Sequence, residues 1–571
     1  MSTLPKHWVV AAPASPDFLR RYQMHPALAQ TLFNRGFIEP DTARRFLRAE
    51  VGNDNPFTMK GIPEAVRRIR TAIKNRELII VYGDFDADGV TSTVLLTWIL
   101  KALGANVRAY IPHRVDEGYG LNTQALLKLA HEGARVVITV DCGIRSVDEV
   151  EAGKAAGLDM IVTDHHSIGP EIPRGLAVIN PKQEDCNYPE DMLAGVGVAY
   201  KLAQALLRST QQNDKTHRDI DEETLLDLVA IGTVADLAPL NRTENRALVR
   251  RGLEVLNRAE RPGIRALLDV AGVKLGAVTS TSIGFALGPR INAAGRLEDA
   301  MMAYDLLVSA DEKQARSLAE HLQDLNVRRQ ELTREAQELV RGQIDTRFEQ
   351  SPLIFAGDRS FRPGIVGLVA GRLTEEFFRP AVIMEEGEQE SRASCRSIPQ
   401  FDITRALDEC ADLLVRHGGH AQAAGFTVLN ENIPALKNRL TQIAYDRLYG
   451  LELRPLLEID AELDIHHLNE SLVRELAQLE PTGHSNPVPV FKSDNLRVIE
   501  TRTVGRDASH LKLKLARAGS PPLDAIGFGL GSWAANMPDR IDVAYQLEMN
   551  EWNGNRSLQL NLQDIRPAGA S

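Results

Sequence analysis

Three aspartates at alternate positions follow an apolar run early in the chain. Asp84, Asp86 and Asp88 stand directly after residues 78–81. Because residues i, i+2 and i+4 of an extended chain point the same way, the three carboxylates crowd onto one face and repel one another. A bound cation would relieve this repulsion, and a solvated acidic cluster is the alternative interpretation. The apolar run before the cluster predicts that it lies at the carboxyl end of a strand, where open α/β sheets bind ligands.

Further acidic and imidazole groups follow later apolar segments, and they are Asp141, Asp164, His165, His166 and Asp236. The first four follow strand candidates, and the last follows a helical segment. Parallel strands bring their carboxyl ends to one edge of a sheet, so we expect the groups that follow strands to converge. Taken singly each group is weak evidence, because a strand-end aspartate is often a helix N-cap and a histidine pair is often structural.

The number of these groups suits two divalent metal ions. Two ions about 4 Å apart neutralise carboxylates, lower the pKa of a bridging water and stabilise both oxygens of a phosphoryl displacement. The pattern therefore predicts hydrolysis of a phosphate ester. Imidazole among the ligands favours Mn²⁺ over Mg²⁺ without deciding between them. The four cysteines show no Cys-x-x-Cys spacing, which argues against a thiolate metal site.

In the part of the chain that must position these groups, short apolar runs alternate with amphipathic segments, which is typical of β-α-β units. The strand candidates are residues 78–82, 107–111, 135–140, 160–163 and 177–179. A long amphipathic helix is predicted over 309–345, opened by a capping pair of Ser309 and Glu312. We interpret it as a connection between domains, with a homodimeric coiled coil as the alternative.

The sequence of the C-terminal two fifths of the chain predicts two smaller domains. Apolar runs at 353–355 and 381–384 indicate a second α/β domain that ends near residue 450. From about residue 455 the apolar period is two, which predicts an all-β barrel of the OB-like kind. Tyr545 and Trp552 on its strands could stack on nucleobases, although aromatic residues on strands more often belong to the core.

Bulk composition limits the class of protein. A chain of 571 residues with 43% hydrophobic and 25% charged residues is globular and large enough for several domains. The net charge of -11 means that any contact with nucleic acid must depend on local positive charge. No segment has the roughly 18 apolar residues of a membrane span, and the N-terminus lacks a leader pattern. We therefore expect a cytoplasmic protein without a membrane partner.

Four motifs resemble those of the DHH phosphoesterase superfamily, in the same order. They are Asp84-Phe-Asp-Ala-Asp-Gly89, Val140-Asp-Cys-Gly-Ile144, Thr163-Asp-His-His166 and Gly232-Thr-Val-Ala-Asp236. Gly418-Gly-His-Ala-Gln-Ala-Ala-Gly425 resembles the Gly-Gly-His motif of the associated DHHA1 domain. Longer stretches narrow the resemblance to the RecJ family of exonucleases: Ile111-Pro-His-Arg114 with Glu117-Gly-Tyr-Gly120, Leu193-Ala-Gly-Val-Gly-Val198, Leu287-Gly-Pro-Arg-Ile-Asn-Ala-Ala-Gly-Arg296 and Asn550-Glu-Trp-Asn-Gly-Asn-Arg-Ser-Leu558.

The resemblance implies an α/β protein with a parallel-sheet DHH domain, a smaller α/β DHHA1 domain joined by a long helix, and a C-terminal all-β OB-like barrel. The boundaries that it implies are an N-terminal segment 1–50, a DHH domain 51–265, a connecting region 266–345, a DHHA1 domain 346–452 and a single-strand-binding domain 453–571. The implied activity is 5′-to-3′ exonucleolytic hydrolysis of single-stranded DNA to mononucleotides with Mn²⁺ or Mg²⁺, in recombination and repair. A single-stranded-DNA-binding protein is the implied partner, and a monomer is expected.

Motif position implies a role for each residue. Asp86 would hold one metal ion and Asp88 the other, Asp141 would bridge them, and His165 and Asp236 would complete the ligands. Asp84 would either bind a metal or support a ligand, and Asp164 would orient an imidazole. His166, Asp141 and His420 form the implied catalytic set, with His166 on the substrate phosphate or leaving oxygen and His420 on the scissile phosphate.

The same resemblance implies a pocket for a 5′-phosphate at Arg114, Ser394 and Arg396, with Arg290 close to the phosphates. Arginine suits this role because its planar fork donates bidentate hydrogen bonds to phosphate. Three positions depart from the family pattern. Arg362 replaces a common His, Ala393 replaces a usual Gly, and Thr482 replaces a familiar Phe. None of these removes a predicted metal ligand.

Three other functions remain alternatives at this point. A DHH phosphodiesterase for very short oligonucleotides or cyclic dinucleotides would usually lack the C-terminal barrel. A replication scaffold with a degenerate DHH fold would lack metal ligands, which this chain retains. An inorganic pyrophosphatase would carry a different basic motif in its second domain.

Overall fold

The structure is a computed structural model that describes residues 4–52, 54–114, 116–118, 120–211, 220–344, 347, 351–505, 507–552 and 555–570. The described residues divide into two compact units. The parallel-sheet unit comprises Phe46–Gln330 and Glu480–Pro487, and the composite unit comprises Met1–Arg45, Glu331–Leu479 and Val488–Ser571. None of the helices among these residues combines the length and the apolarity that crossing a membrane requires.

The strands in chain order are β1 (His7–Val10), β2 (Leu78–Gly83), β3 (Asn106–Tyr110), β4 (Ala134–Val140), β5 (Asp159–Thr163), β6 (Ala177–Ile179), β7 (Ile354–Asp358), β8 (Ala381–Glu385), β9 (Glu390–Arg396), β10 (Leu414–His420), β11 (Ala423–Leu429), β12 (Leu456–Ile459), β13 (Ala461–Glu462), β14 (Phe491–Val504), β15 (His510–Ala516), β16 (Leu523–Gly527), β17 (Arg540–Trp552) and β18 (Asn555–Pro567). The α-helices are α1 (Pro16–Arg21), α2 (Pro26–Asn34), α3 (Pro40–Arg48), α4 (Ile62–Asn75), α5 (Ala87–Ala102), α6 (Thr123–His131), α7 (Val147–Ala155), α8 (Gly195–Gln211), α9 (Leu226–Ala235), α10 (Thr243–Leu256), α11 (Pro262–Val270), α12 (Ser280–Ser282), α13 (Gly288–Leu297), α14 (Met301–Val308), α15 (Glu312–Arg341), α16 (Pro363–Phe377), α17 (Ile403–Asp408), α18 (Ile433–Leu448) and α19 (Glu470–Leu476).

The parallel-sheet unit is built on five parallel strands in the order β3-β2-β4-β5-β6. The sequence predicts all five to within one residue. Alternate residues of β2 point to opposite faces. Ile79 and Val81 pack in a core with α5, α8 and α9, while Ile80 and Tyr82 pack with α6 and α7. Because helices cover both faces, the strands read as continuous apolar runs.

The composite unit contains a mixed sheet in the order β10-β11-β9-β8-β7. Strands β9, β10 and β11 are antiparallel to their neighbours, and β7 and β8 are parallel. Ala393, Phe426 and Val428 face a core that includes Leu436 and Leu440 of α18. This is the second α/β domain that the sequence predicts.

The C-terminal strands of the composite unit form a closed barrel. Strands β14, β15, β16, β18 and β17 pair in that order, and β14 also pairs with β17. Tyr545 lies fully inside it, where its hydroxyl contacts the Ser493 hydroxyl at 3.0 Å. Tyr545 is therefore a core residue and cannot stack on a base, while the side chain of Trp552 lies outside the described structure. The predicted α/β class with a C-terminal barrel is confirmed.

The long connecting helix is α15, and it is shorter than the predicted 309–345. The predicted cap at Ser309 is wrong. The Asp311 carboxylate instead accepts a hydrogen bond from the Gln314 backbone N–H at 2.7 Å, whereas the Ser309 hydroxyl donates to the Asp311 carbonyl. Asp311, which directly precedes the first helical residue, therefore caps the helix in place of Ser309.

Candidate metal centre

The loops after three neighbouring strands bring the predicted acidic residues together. Strands β2, β4 and β5 lie side by side, and the C-terminal end of α9 adds Asp236. Three overlapping groups have possible ligand atoms within 4.8 Å of one another: Asp84, Asp86 and Asp141; Asp88, His165 and Asp236; and Asp141, Asp164, His165 and His166. The convergence that parallel strands predict is therefore present.

The three aspartates after β2 have different hydrogen-bonding states. Asp86 is the N-cap of α5, and its Oδ1 accepts from the backbone N–H groups of Asp88 and Gly89 at 2.9 and 3.0 Å. Asp84 is 2% exposed, and its Oδ1 has no hydrogen-bond partner among the described residues. Burial, and then the charge of Asp86, raises the pKa of Asp84 well above its ordinary value.

Asp88 is fixed by the start of α8. Its Oδ2 accepts from the Gly195 N–H at 2.7 Å and its Oδ1 from the Val196 N–H at 2.8 Å. Burial, and then the charges of Asp236 and Asp86, raises the pKa of Asp88. A Cβ on Gly232 of α9 would lie 2.7 Å from Asp88 Oδ1, so this motif glycine is required for close packing.

Asp141 occupies a strained backbone conformation at the end of β4. Its φ is +61°, a left-handed value that costs a non-glycine residue of order 1 kcal/mol. Its Oδ1 is buried without a hydrogen-bond partner among the described residues. Burial, and then the neighbouring carboxylates beginning with Asp88, raises its pKa. Strain and desolvation at one residue indicate a functional position.

His165 directs one ring nitrogen at the carboxylates. Its Nε2 lies 3.1 Å from Asp141 Oδ1, 3.6 Å from Asp236 Oδ2 and 3.9 Å from Asp88 Oδ2. Within the described structure Nε2 makes no hydrogen bond. Burial, and then the neighbouring His166, lowers the pKa of His165 to about 3, so the ring is neutral. A backbone hydrogen bond to Leu193 engages the ring, which is how metal-binding histidines are commonly oriented.

Asp164 orients His166 and the loop that carries both histidines. Its Oδ1 accepts from the backbone N–H groups of His165 and His166 and lies 2.7 Å from His166 Nδ1, while Oδ2 accepts from Ile144 N–H. Burial opposes ionisation of Asp164, but these hydrogen bonds outweigh it and lower its pKa. Burial likewise opposes protonation of His166, and the bond to Asp164 outweighs it and raises the pKa.

Asp236 completes the cluster from α9. Burial, and then the charge of Asp86, raises its pKa to about 7. The next residue, Leu237, is 66% exposed and has a φ of +58°. Both the solvent exposure of this apolar side chain and its left-handed backbone are unfavourable. Leu237 therefore marks a strained position directly after a residue of the cluster.

These residues fit divalent metal ions. Three buried atoms of this cluster lack hydrogen bonds within the described residues: Asp84 Oδ1, Asp141 Oδ1 and His165 Nε2. Buried polar atoms are normally hydrogen-bonded, so unsatisfied acceptors that face one another need a cation. Carboxylate oxygens suit both Mn²⁺ and Mg²⁺, and the neutral imidazole favours Mn²⁺ of the two.

The two predicted arginines of this unit have different surroundings. The Arg114 guanidinium lies 4.7 Å from the centre of the Phe85 ring and feels the charges of Asp84 and Asp86. Burial lowers the Arg114 pKa, and these charges oppose that effect. Arg290 donates to the Ala286 carbonyl at 2.7 Å and to Gln323 at 2.8 Å. Arg114 is therefore beside the acidic cluster, whereas Arg290 is held by the turn before α13 and by α15.

The remaining predicted residues lie in the mixed sheet of the composite unit. Ser394 and Arg396 are on β9, and His420 ends β10. Arg396 and His420 both pair with Ala423 of β11, from opposite sides. Helix α16 packs over this part of the sheet, and a Cβ on its Gly367 would lie 3.3 Å from Arg396 Nη2 and 3.4 Å from Ser394 Oγ. The three predicted residues therefore share one face of the sheet.

The sequence does not predict several residues that support the cluster. Lys182 Nζ donates to the His165 carbonyl at 2.5 Å, and buried Asn180 donates to the His166 carbonyl at 3.0 Å. Asn292 of α13 accepts from the Ala87 N–H at 2.7 Å. The Asn-Pro-Lys sequence after β6 was the available signal for the first two. Asn292 lies inside the motif at residues 287–296, but the sequence analysis assigned it no role.

Comparison with known proteins agrees with this architecture. Three family descriptions match in order: "DHH family, N-terminal domain" at residues 78–233, "DHHA1 domain" at 350–446 and "RecJ OB domain" at 459–564. The single-stranded-DNA-specific exonuclease RecJ of Bacillus subtilis is 40% identical over 95% of this chain and 68% of its own length. The protein of the same name from Escherichia coli is 35% identical over 89% of this chain and 91% of its own.

A solved structure is similar along almost the whole chain. The crystal structure of RecJ in complex with Mn²⁺ from Thermus thermophilus matches with a TM-score of 0.84 and 31% identity, over 99% of this chain and 80% of that one. A second crystal structure from that organism, in complex with Mg²⁺, matches with a TM-score of 0.79 and 29% identity. With the ordered motifs, the cluster geometry and relatives above 30% identity over most of their length, this chain belongs to the RecJ family.

Proposed function

We propose that this protein is a metal-dependent exonuclease that hydrolyses single-stranded DNA from the 5′ end to 5′-mononucleotides, in recombination and repair. The observation that carries the proposal is the buried cluster in which Asp141 lies close to both Asp84 and His165, each of the three with an atom that lacks a hydrogen bond within the described residues. The names of the relatives, single-stranded-DNA-specific exonuclease, support the substrate class.

The cluster would hold two divalent ions, Mn²⁺ or Mg²⁺. The proposed ligands are Asp84, Asp86, Asp88, Asp141, His165 and Asp236. Asp141 belongs to the group that contains Asp84, and its Oδ1 lies 3.1 Å from His165 of the group that contains Asp88. When bound, the ions supply an activated water and stabilise the charge that develops in phosphoryl displacement. Relatives crystallised with Mn²⁺ and with Mg²⁺ support either ion.

The other residues bind and orient the substrate. The contact between His166 Nδ1 and Asp164 orients the ring, and we propose that His166 contacts the substrate phosphate or the leaving oxygen. His166 is 41% exposed, so it is accessible for that contact. Arg114, next to the acidic cluster, provides positive charge for a phosphate, and we retain Arg290 as a residue close to the phosphates.

The DNA end would be held by the mixed sheet. Arg396 and Ser394 provide donors for a 5′-phosphate, and His420 is proposed to contact the scissile phosphate. Helix α16 covers the sheet at Arg396, whereas β10 with His420 is an exposed edge strand. A site that is closed at one end and open at the other suits the end of a chain rather than its middle.

We further propose a cytoplasmic monomer that interacts with a single-stranded-DNA-binding protein, and the domain boundaries predicted from the sequence. The full set of acidic ligands argues against a degenerate scaffold. The C-terminal barrel argues against an enzyme confined to dinucleotides.

The decisive experiment is digestion of DNA labelled at either end. Single-stranded, double-stranded and dinucleotide substrates are incubated with Mn²⁺ or Mg²⁺, and the products are resolved by size. Early release of mononucleotide from the 5′ end of single strands supports the proposal. Activity confined to dinucleotides, or release from the 3′ end, would refute it.

A matched variant tests the metal assignment. Asp141→Ala should abolish hydrolysis while single-strand binding stays measurable, because the composite unit is unchanged. Asp148→Asn, an exposed aspartate of α7, is the control and should retain activity. Turnover by Asp141→Ala above the level of a mock preparation would exclude the proposed two-metal site.

A further inference from the structure

The face of the mixed sheet that carries Ser394, Arg396 and His420 has three cross-strand rows. The first row is Arg396, Ala423 and His420, the second is Ser394, Gly425 and Gly418, and the third is Arg392, Thr427 and Arg416. Directly opposed residues on neighbouring strands share a face, and residues two apart on a strand share it as well. The proposed function uses the first row and Ser394, but not the third row.

The middle row has little side-chain bulk, and its two glycines form a glycine floor between the two rows that carry arginines. Gly418 and Gly425 have no side chains, and a Cβ on Gly418 would meet nothing within 4 Å. A shallow cavity of about 350 Å³ lies here, and its lining includes Arg392, Arg416, Gly418, Gly425 and Thr427. The first and third rows are four residues apart on β9, or about 13 Å. The two basic rows are thus separated, along the strand direction, by roughly the length of one nucleotide from its phosphate to the far edge of its base.

The third row presents an oriented guanidinium. Arg416 is exposed, and its Nε donates to the hydroxyl of buried Thr427 at 3.2 Å. This bond restrains the guanidinium through Nε, and the two terminal nitrogens make no hydrogen bond within the described structure. Arg392 is exposed and interacts with the charge of Glu385, its neighbour on β8. Arg416 is therefore the better placed of the two arginines to contact a ligand.

We propose that the third row binds the nucleobase of the 5′-terminal nucleotide, with Arg416 as the principal contact. This inference rests on the proposed function, because it places the terminal phosphate at Ser394 and Arg396. The sugar then lies over the glycine floor and the base reaches the third row. A guanidinium plane can stack on any base and donate hydrogen bonds to its edge. The site would hold the terminal nucleotide by its base as well as by its phosphate.

The test compares two single strands that differ only at the 5′ residue, which is either a 5′-phosphorylated nucleotide or a 5′-phosphorylated abasic residue. The wild type should release the first residue of the normal strand with a kcat/KM roughly tenfold higher than that of the abasic strand. Arg416→Ala should bring the two substrates to within about twofold by slowing only the normal strand. Arg416→Lys keeps the charge without the plane and should also lose the discrimination.

Arg405→Ala on α17 is the control and should discriminate as the wild type does. Thermal unfolding of each variant shows whether the exposed substitution leaves the fold intact. If Arg416→Ala slows both strands equally, the residue binds phosphate and the inference is wrong. It is also wrong if the discrimination survives in Arg416→Ala and Arg416→Lys. If the wild type digests neither strand, the proposed function itself fails, which is a separate outcome.

Discussion

Gly195 lies so close to Asp141 that no other residue fits there. A Cβ on Gly195 would stand 2.6 Å from the Cβ of Asp141 and 2.7 Å from its Oδ1. The same Gly195 donates its N–H to Asp88. One backbone position at the start of α8 therefore sets the distance between two proposed metal ligands that are 53 residues apart in the sequence.

Gly195→Ala should reduce nuclease activity by about 100-fold, because the added methyl must displace Asp141 or the start of α8 and a shift of that size misplaces the ligands. The measurement is kcat on single-stranded DNA at saturating Mn²⁺. Gly52→Ala is the control, since a Cβ there meets nothing within 4 Å. Full activity in Gly195→Ala would show that the contact with Asp141 does not position that ligand.

Asp164→Asn should lower kcat by about 10- to 100-fold, as is usual when a residue that orients an active-site histidine is lost. His166→Gln should have a similar effect, and the double variant should be no worse than the poorer single variant, because both changes remove the same oriented ring. The Mn²⁺ concentration that gives half-maximal activity should stay near the wild-type value in all three. A large rise in that concentration would instead show that Asp164 acts on the metal site, either as a ligand or by positioning His165.

Metal-free protein should lose stability as pH rises, partly through Asp236. Burial and the charge of Asp86 raise its pKa from 3.8 to about 7. The folded state therefore binds a proton that the unfolded state has released between these values. The resulting stabilisation is complete below the unfolded pKa and is lost as pH rises through 7. Proposed metal ions would restore stability at high pH by replacing the proton.

Asp236→Asn should therefore unfold at a higher temperature than the wild type in EDTA, by a margin of a few degrees that grows from pH 4 to pH 8. In saturating Mn²⁺ the order should reverse, because the variant lacks a ligand. The exposed Asp148→Asn should follow the wild type under both conditions. A margin in EDTA that does not change with pH would contradict the raised pKa of Asp236.

Arg396→Ala should reduce the preference for 5′-phosphorylated over 5′-hydroxyl single strands by at least about tenfold, because a charge-assisted hydrogen bond to phosphate is lost. The readout is the ratio of kcat/KM for the two ends. Arg372→Ala, an exposed arginine on α16, is the control. If the wild type treats both ends alike, Arg396 does not bind a terminal phosphate.

The amino-acid sequence alone determined the five parallel strands, the acidic groups at their ends and the barrel. Apolar periodicity identifies each strand from a short stretch of sequence. Parallel pairing then places the carboxyl ends of all five strands at one edge of the sheet. The long helix was predicted as well, but its starting residue and its cap were not. Asp311 and Ser309 compete to cap it, and sequence spacing does not rank two nearby acceptors.

Only the tertiary structure decided which oxygen atoms are free within the cluster. By sequence, Asp84 was the least certain metal ligand of its motif, yet its Oδ1 is buried and unsatisfied, while one oxygen of Asp86 caps α5 and both oxygens of Asp88 accept from α8. The hydrogen-bond donors to Asp86 and Asp88 are backbone N–H groups. Nearly every residue has one, so a sequence motif does not show which of them will donate. For the same reason the left-handed turn at Asp141 and the closeness of Gly195 became visible only when distant segments were packed together.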